Sequence, residues 1–355
     1  MPTWTWLVPA LSFGVLLAAG IAGVGAVVAI LCGVALLGTV IAAVHHAEVI
    51  AHRMGEPFGT LVLALAVTVI EASLILSMML AGGDEMATLP RDTIYAATMI
   101  ICNGVVGVCL LVGGLAHREQ TFRVEGSGAG MAALIAMSAL TLALPAFTTT
   151  TSGGMYSTSQ LLFLAATSAA LWAVFVFIQT VSHRDYFIPI SSGATPEEHL
   201  DPPTARAAWI SFAILVLALV TVVGLAKALS PTIEAAVETA GAPRAVVGIV
   251  IAMLVLLPES WAATRAARAD RLQSSMNLAI GSALACIGLT IPVVVLAAVI
   301  YDLPLVLGLG AKDLVLLAVT FLVSAFTLGT GRTHMMQGAV HLVLFAAFLF
   351  LAIVP

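Results

Sequence analysis

Charge is the scarcest property of this sequence: Asp, Glu, Lys and Arg supply 9% of 355 residues, against 61% apolar. Soluble globular domains carry about 25% charged residues, so the shortage excludes an ordinary water-soluble enzyme. Basic residues are fewer than acidic ones, 13 against 18, and aromatics reach only 6%. A nucleic-acid binder has neither its basic stripe nor its stacking platform here, so no nucleic-acid partner is expected. The four cysteines, Cys32, Cys102, Cys109 and Cys286, stand apart inside apolar stretches, with neither CxxC spacing nor a disulfide framework. Met1–Trp6 has no basic n-region, so the first apolar run is expected to stay in the protein rather than leave as a signal peptide.

What is present is long apolar runs of 18–25 residues without the alternation of strands. Lipid admits only helices or closed barrels, and runs of this length are helices. The fold expected is an all-α integral membrane protein of about eleven spans: 5–22, 25–47, 57–81, 93–116, 128–148, 157–181, 207–229, 244–264, 275–300, 313–330 and 334–353. The one long polar stretch, 183–206, holds Pro189, Pro196, Pro202 and Pro203 and reads as a solvated linker. It sets the expected division: 1–47 with an extra N-terminal helix and the first repeat helix, 48–182 as the first half, 183–206 as linker, 207–355 as the second half.

Lys and Arg report orientation. Loops after even-numbered spans hold nine: Arg53, Arg118, Arg123, Arg184, Arg206, Arg265, Arg268, Arg271 and Arg332. Loops after odd-numbered spans hold four: Arg91, Lys227, Arg244 and Lys312. The N-terminus is therefore expected in the cytoplasm and the C-terminus outside, across a bacterial inner membrane. Where the second span meets the cytoplasm, HHAEVIAHRMGE gathers His45, His46, Glu48, His52 and Glu56. Such a cluster can sense pH or collect cations before entry; the plainer reading is a solvated helix end.

Of the eighteen acidic residues, two fall inside spans. Glu71 lies in GTLVLALAVTVIEASLILSMML and Glu259 in VGIVIAMLVLLPESWAATRAA, each about fourteen residues, or roughly 21 Å, into its helix. An ionised carboxylate at that depth costs on the order of 2.5–3.5 kcal/mol, so an acid kept there suggests a cation or proton site. The alternative is a protonated Glu hydrogen-bonding two helices together. The surroundings of the two acids match. A Pro starts each span, Pro57 and Pro243, and a Gly precedes each acid, Gly59 by twelve residues and Gly248 by eleven. The helix after each is rich in small and amide side chains, with Asn103 in the first and Asn277, Ser282 and Thr290 in the second. Five spans separate the copies, an odd number, so they run antiparallel. This is the inverted-repeat plan of secondary transporters, five helices per repeat around a midplane site. Pro258, beside Glu259, is the expected break in its helix.

The segments HHAEVIAHRMGEPFGTLVLALAVTVIEASLI and LLPESWAATRAARADRLQSSMNLAIGSALACIGLTIP resemble the two alpha-repeats of bacterial calcium/proton antiporters, members of the calcium/cation antiporter superfamily with the sodium/calcium exchangers. The resemblance implies that Glu71 and Glu259 coordinate the cation and exchange it for protons, and that Asn103 is a further ligand. The second repeat departs from the family pattern. After Gly281-Ser282 it reads Ala283-Leu284-Ala285-Cys286, without the acid or amide expected, so Ser282 or Asn277 is the substitute.

The chemistry suits antiport. Ca²⁺ takes six to eight oxygens at about 2.3–2.6 Å; two carboxylates neutralise its charge, and Asn103, Thr68 and Ser282 offer oxygens. Taking a carboxylate out of water favours its protonated form, so metal and protons compete for one site. Ca²⁺ is the expected cargo, with Na⁺ or K⁺ as the alternative where fewer oxygens converge, and no cofactor is required. An intramembrane metal-dependent enzyme is the distant alternative. It lacks H-E-x-x-H, G-x-S-x-G and any mid-membrane Asp.

Overall fold

The structure, a computed structural model, describes residues 2–54, 58–188, 203–239, 241, 243 and 245–354. Glu56, Pro57 and residues 189–202 of the linker lie outside them. Backbone groups in lipid must be satisfied within their own segment, and the apolar runs become helices: α1 (Trp4–Ala22), α2 (Ala26–Met54), α3 (Phe58–Gly82), α4 (Leu89–Met99), α5 (Val106–His117) and α6 (Val124–Ser138). After them come α7 (Thr158–Phe177), α8 (Ala205–Thr239), α9 (Ala245–Arg268), α10 (Leu272–Ile300), α11 (Ala311–Leu328) and α12 (Met335–Ile353). A π-helical segment, Ile100–Val105, joins α4 to α5 as one span.

Among the described residues nine helical segments are each long and apolar enough to cross a membrane, and α9 is a tenth if its bent pair counts as one. With α3, whose 25 residues include the apolar stretch Leu65–Leu80, the eleven expected spans are all helical. Two ends differ from expectation. α2 runs to Met54, so His45–Arg53 is helix and not loop; no Gly or Pro falls between Thr39 and Met54 to stop it. α8 likewise continues to Thr239 through Pro231.

The chain forms two compact units, one of Met1–Met86 with Thr195–Val247, the other of Ala87–Ala194 with Gly248–Pro355. Each takes helices from both sides of the linker. In the first unit α2 packs against α1, α3 and α8. In the second, α12 packs on α5 and α10 on α7. These are equivalent pairs, each joining the third helix of one repeat to the last helix of the other, so the packing carries the internal repeat that the sequence indicates. Both pairs are close. A Cβ at Gly338 of α12 would lie 2.5 Å from Leu111 N and 2.8 Å from Gly107 O, and one at Gly288 of α10 would lie 2.5 Å from Trp172 Cβ. Small residues let helices approach where lipid supplies no hydrophobic drive between them.

The ends of the second unit sort by span number. At one end β1 (Glu119–Thr121) pairs antiparallel with β2 (Arg332–His334), Gln120 donates to Ala267 O, and Asn277 to Phe187 O. At the other, Arg91 donates to Gly308 O, Gly308 N to Gly154 O, and Lys312 to Leu351 O. Within this unit the loops after even-numbered spans thus share one end, as alternation of its spans requires.

Candidate ion site

In the first unit Glu71 sits mid-way along α3 with 4% of its surface exposed, and Thr68, one turn earlier on the same face, has 5%. α3 packs against α2 and α8, so the carboxylate faces protein and not lipid. That is the placement that makes an intramembrane acid tolerable.

In the second unit Glu259 is 6% exposed. α9 bends by 53° between Leu257 and Glu259, the break expected at Pro258: proline brings no N–H to the helical ladder. Glu259 thereby opens the second limb of the helix. Ser282 Oγ, on α10, donates to Glu259 Oε1 at 3.4 Å, so of the two substitutes expected from the sequence this hydroxyl is the one that reaches the acid. Gly248 has a different task. A Cβ there would come within 2.9 Å of the Asp92–Thr93 backbone, so it lets α9 start directly against α4.

Asn277 is not at this acid. Its Nδ2 donates to Phe187 O at 2.6 Å and its Oδ1 accepts from Gln273 Nε2 at 2.8 Å. It ties the segment after α7 to the start of α10, about 7.5 Å of helix rise before Ser282.

Asn103 lies in the π-helical segment and is fully buried. Its Nδ2 donates to Thr320 Oγ1 at 2.8 Å, and its Oδ1 is 3.2 Å from His341 Nδ1. His341 Nε2 in turn is 3.1 Å from Thr327 Oγ1. Sequence reasoning did not single out Thr320, Thr327 or His341. A signal was there: Thr320, Ser324 and Thr327 recur at i, i+4 and i+7 on α11, and all three are buried. The π segment itself leaves no trace in composition, although such insertions are frequent at functional sites.

The histidine cluster resolves into separate environments. The His45 ring lies 5.6 Å from Trp4 and 5.8 Å from His46. His46 is fully buried, with Nδ1 3.0 Å from Ser211 Oγ and Nε2 3.0 Å from Thr5 O. Glu48 and His52 are exposed. Among the described residues no three His, Cys, Asp or Glu side chains converge in a metal-holding group.

The family model for the sodium/calcium exchanger protein matches residues 24–181 and 210–354. A Sinorhizobium fredii protein with the provisional name of ionic transporter y4hA is 44% identical over 360 residues, covering 100% of this chain and 97% of its own. The sodium-potassium/proton antiporter ChaA of Escherichia coli K12 is 36% identical over 318 residues, covering 89% of this chain and 86% of its own. Among solved structures, native YfkE matches with a TM-score of 0.74 at 17% identity, over 99% of this chain and 100% of that one. The H⁺/Ca²⁺ exchanger CAX matches with a TM-score of 0.73 at 15% identity, over 98% and 87%. At these identities the two structures establish the shared fold.

Proposed function

The chain belongs to the sodium/calcium exchanger protein family, and from that premise we propose that it exchanges Ca²⁺ for protons across a bacterial inner membrane, with Glu71 and Glu259 as the groups that hold cation in one half of the cycle and protons in the other. As a member of the family it is a multi-pass ion antiporter and not an enzyme. The observation that carries the finer reading is the burial in protein of one carboxylate in each unit, Glu71 at 4% and Glu259 at 6% exposure. A buried carboxylate that must stay neutral takes either a proton or a metal, so release of one requires uptake of the other. Coupling then needs only a bar on crossing with the acids empty and charged. Asn103 and Ser282 are the proposed neutral ligands, with Thr68 beside Glu71. The excess of Arg in loops after even-numbered spans supports a cytoplasmic N-terminus.

A second reading, exchange of Na⁺ or K⁺, has its own support. The 36% identical relative is named for those ions, and the second repeat offers the Ser282 hydroxyl where the family pattern has an acid or amide. A poorer oxygen set suits a monovalent ion better than Ca²⁺.

The test uses inverted vesicles with an imposed pH gradient and a pH-sensitive dye. Addition of Ca²⁺, Na⁺ or K⁺ in separate trials reads out proton release for each ion. Glu71→Gln and Glu259→Gln are each expected to abolish the signal while the protein stays monodisperse in detergent. Exchange at near wild-type rate in either variant would sink the two-carboxylate mechanism.

A further inference from the structure

The buried chain that ends on His341 assigns this histidine a task. α12 is otherwise almost wholly apolar, yet His341 has no exposed surface. A buried imidazole is tolerated only where both nitrogens are hydrogen-bonded, and here both are: Nδ1 to Asn103 Oδ1 at 3.2 Å, Nε2 to Thr327 Oγ1 at 3.1 Å. The ring reaches Asn103 because Gly107 on α5 leaves space; a Cβ there would sit 3.1 Å from His341 Cβ.

The donors fix the direction of the chain. Thr320 Oγ1 gives its proton to Met99 Sδ at 3.5 Å, so its oxygen accepts from Asn103 Nδ2 at 2.8 Å. The amide oxygen then faces His341 Nδ1, which must carry the ring proton. Nε2 is left as the acceptor for the Thr327 hydroxyl. Turning the amide over would require Thr320 to donate to Oδ1 and would forfeit the Met99 contact. Each bond polarises the next, so the series holds its members more firmly than separate pairs would.

We propose that His341 is a positioning residue for the cation site: it holds the Asn103 amide so that its oxygen, and never its NH₂, is available to the cation. This rests on the reading of Asn103 as a ligand. An amide oxygen has two lone pairs; His341 takes one and leaves the other for metal. Nδ2, whose protons would repel a cation, is parked on Thr320. Without His341 the amide turns freely, and the cation must order it on binding.

The experiment measures the half-saturating cation concentration and the maximal rate of proton release in inverted vesicles, for Ca²⁺, Na⁺ and K⁺. The variants are H341L, H341N, T327V, N103A and the double variant N103A/H341L. H341L is expected to raise half-saturation about tenfold, the loss of one buried hydrogen bond, with the maximal rate changed less than twofold. H341N places an amide N–H where Nδ1–H was and should recover most of the affinity. H341L should add nothing in the N103A background. An equal shift from H341L with and without Asn103 would overturn the proposal, because His341 would then act through packing alone. So would N103A weakening the cation while H341L does not. N103A with wild-type half-saturation would overturn the ligand reading of Asn103 itself, and the positioning role with it. If H341L does not fold, T327V carries the test: a shift of about threefold supports positioning, and wild-type half-saturation overturns it.

Discussion

Gly338→Ala is the most exacting perturbation available to this fold, because the atoms it meets cannot give way. The added Cβ would lie 2.5 Å from Leu111 N, 2.8 Å from Gly107 O and 2.9 Å from Leu111 Cα, all backbone atoms of α5. Ordinary contact distances are about 3.5 Å or more, so α12 must move off α5 by roughly 1 Å. Overpacking of this kind costs about 1–3 kcal/mol, which corresponds to a melting midpoint lower by about 2–12 °C. The same movement reaches the candidate site. His341 is three residues on, on the same face of α12, and its 3.2 Å hydrogen bond to Asn103 would stretch to about 4 Å, beyond hydrogen-bonding distance. The assay is thermal unfolding in detergent, followed by size-exclusion, alongside half-saturation for proton release in vesicles. Gly33→Ala on α2 is the control: a Cβ there meets nothing within 4 Å, and replacing a helical glycine should leave stability equal or higher by up to about 1 kcal/mol. A wild-type midpoint for Gly338→Ala, or a lowered midpoint with unchanged half-saturation, would refute the tight coupling of α12 packing to the Asn103 amide.

Further predictions concern the other candidates. Ser282→Ala should raise half-saturation only a few-fold, since 3.4 Å is long for a hydroxyl–carboxylate bond; complete loss of transport would show that Ser282 does more than touch Glu259. Asn277→Ala should leave half-saturation unchanged and lower stability by about 1–2 kcal/mol, because its amide holds Phe187 O and Gln273; weakened cation binding in vesicles would count against this. His46→Ala should cost stability by stranding Thr5 O and Ser211 while the pH profile of exchange stays in place; a displaced profile would restore the pH-sensing reading of the cluster. Single cysteines at the exposed Asp185 and Thr149, in a background without the four native cysteines, should label from the inside and the outside of intact cells respectively. The reverse pattern would invert the assigned orientation.

The helical nature of the expected spans, the burial of an acid in each of two of them, Glu71 and Glu259, and the break beside Pro258 were all legible in the sequence. Each follows from a property that lipid enforces locally: an apolar run of sufficient length must be a helix, an acid within it is costly enough to stand out, and proline interrupts the ladder wherever it falls. Neighbouring residues alone decide these matters. The partners of the polar side chains do not follow from neighbours. Asn103 meets Thr320 and His341 across more than two hundred residues, and Asn277, which resembles it in type and lies in the helix that likewise follows the acid-bearing one, instead ties down Phe187. Which of two similar amides serves a buried network depends on how closely α12 approaches α5, and that spacing is set by Gly338 against Leu111 and by Gly107 against His341 and Leu342. Such an approach is a property of two surfaces at once, so it exists only in the tertiary structure.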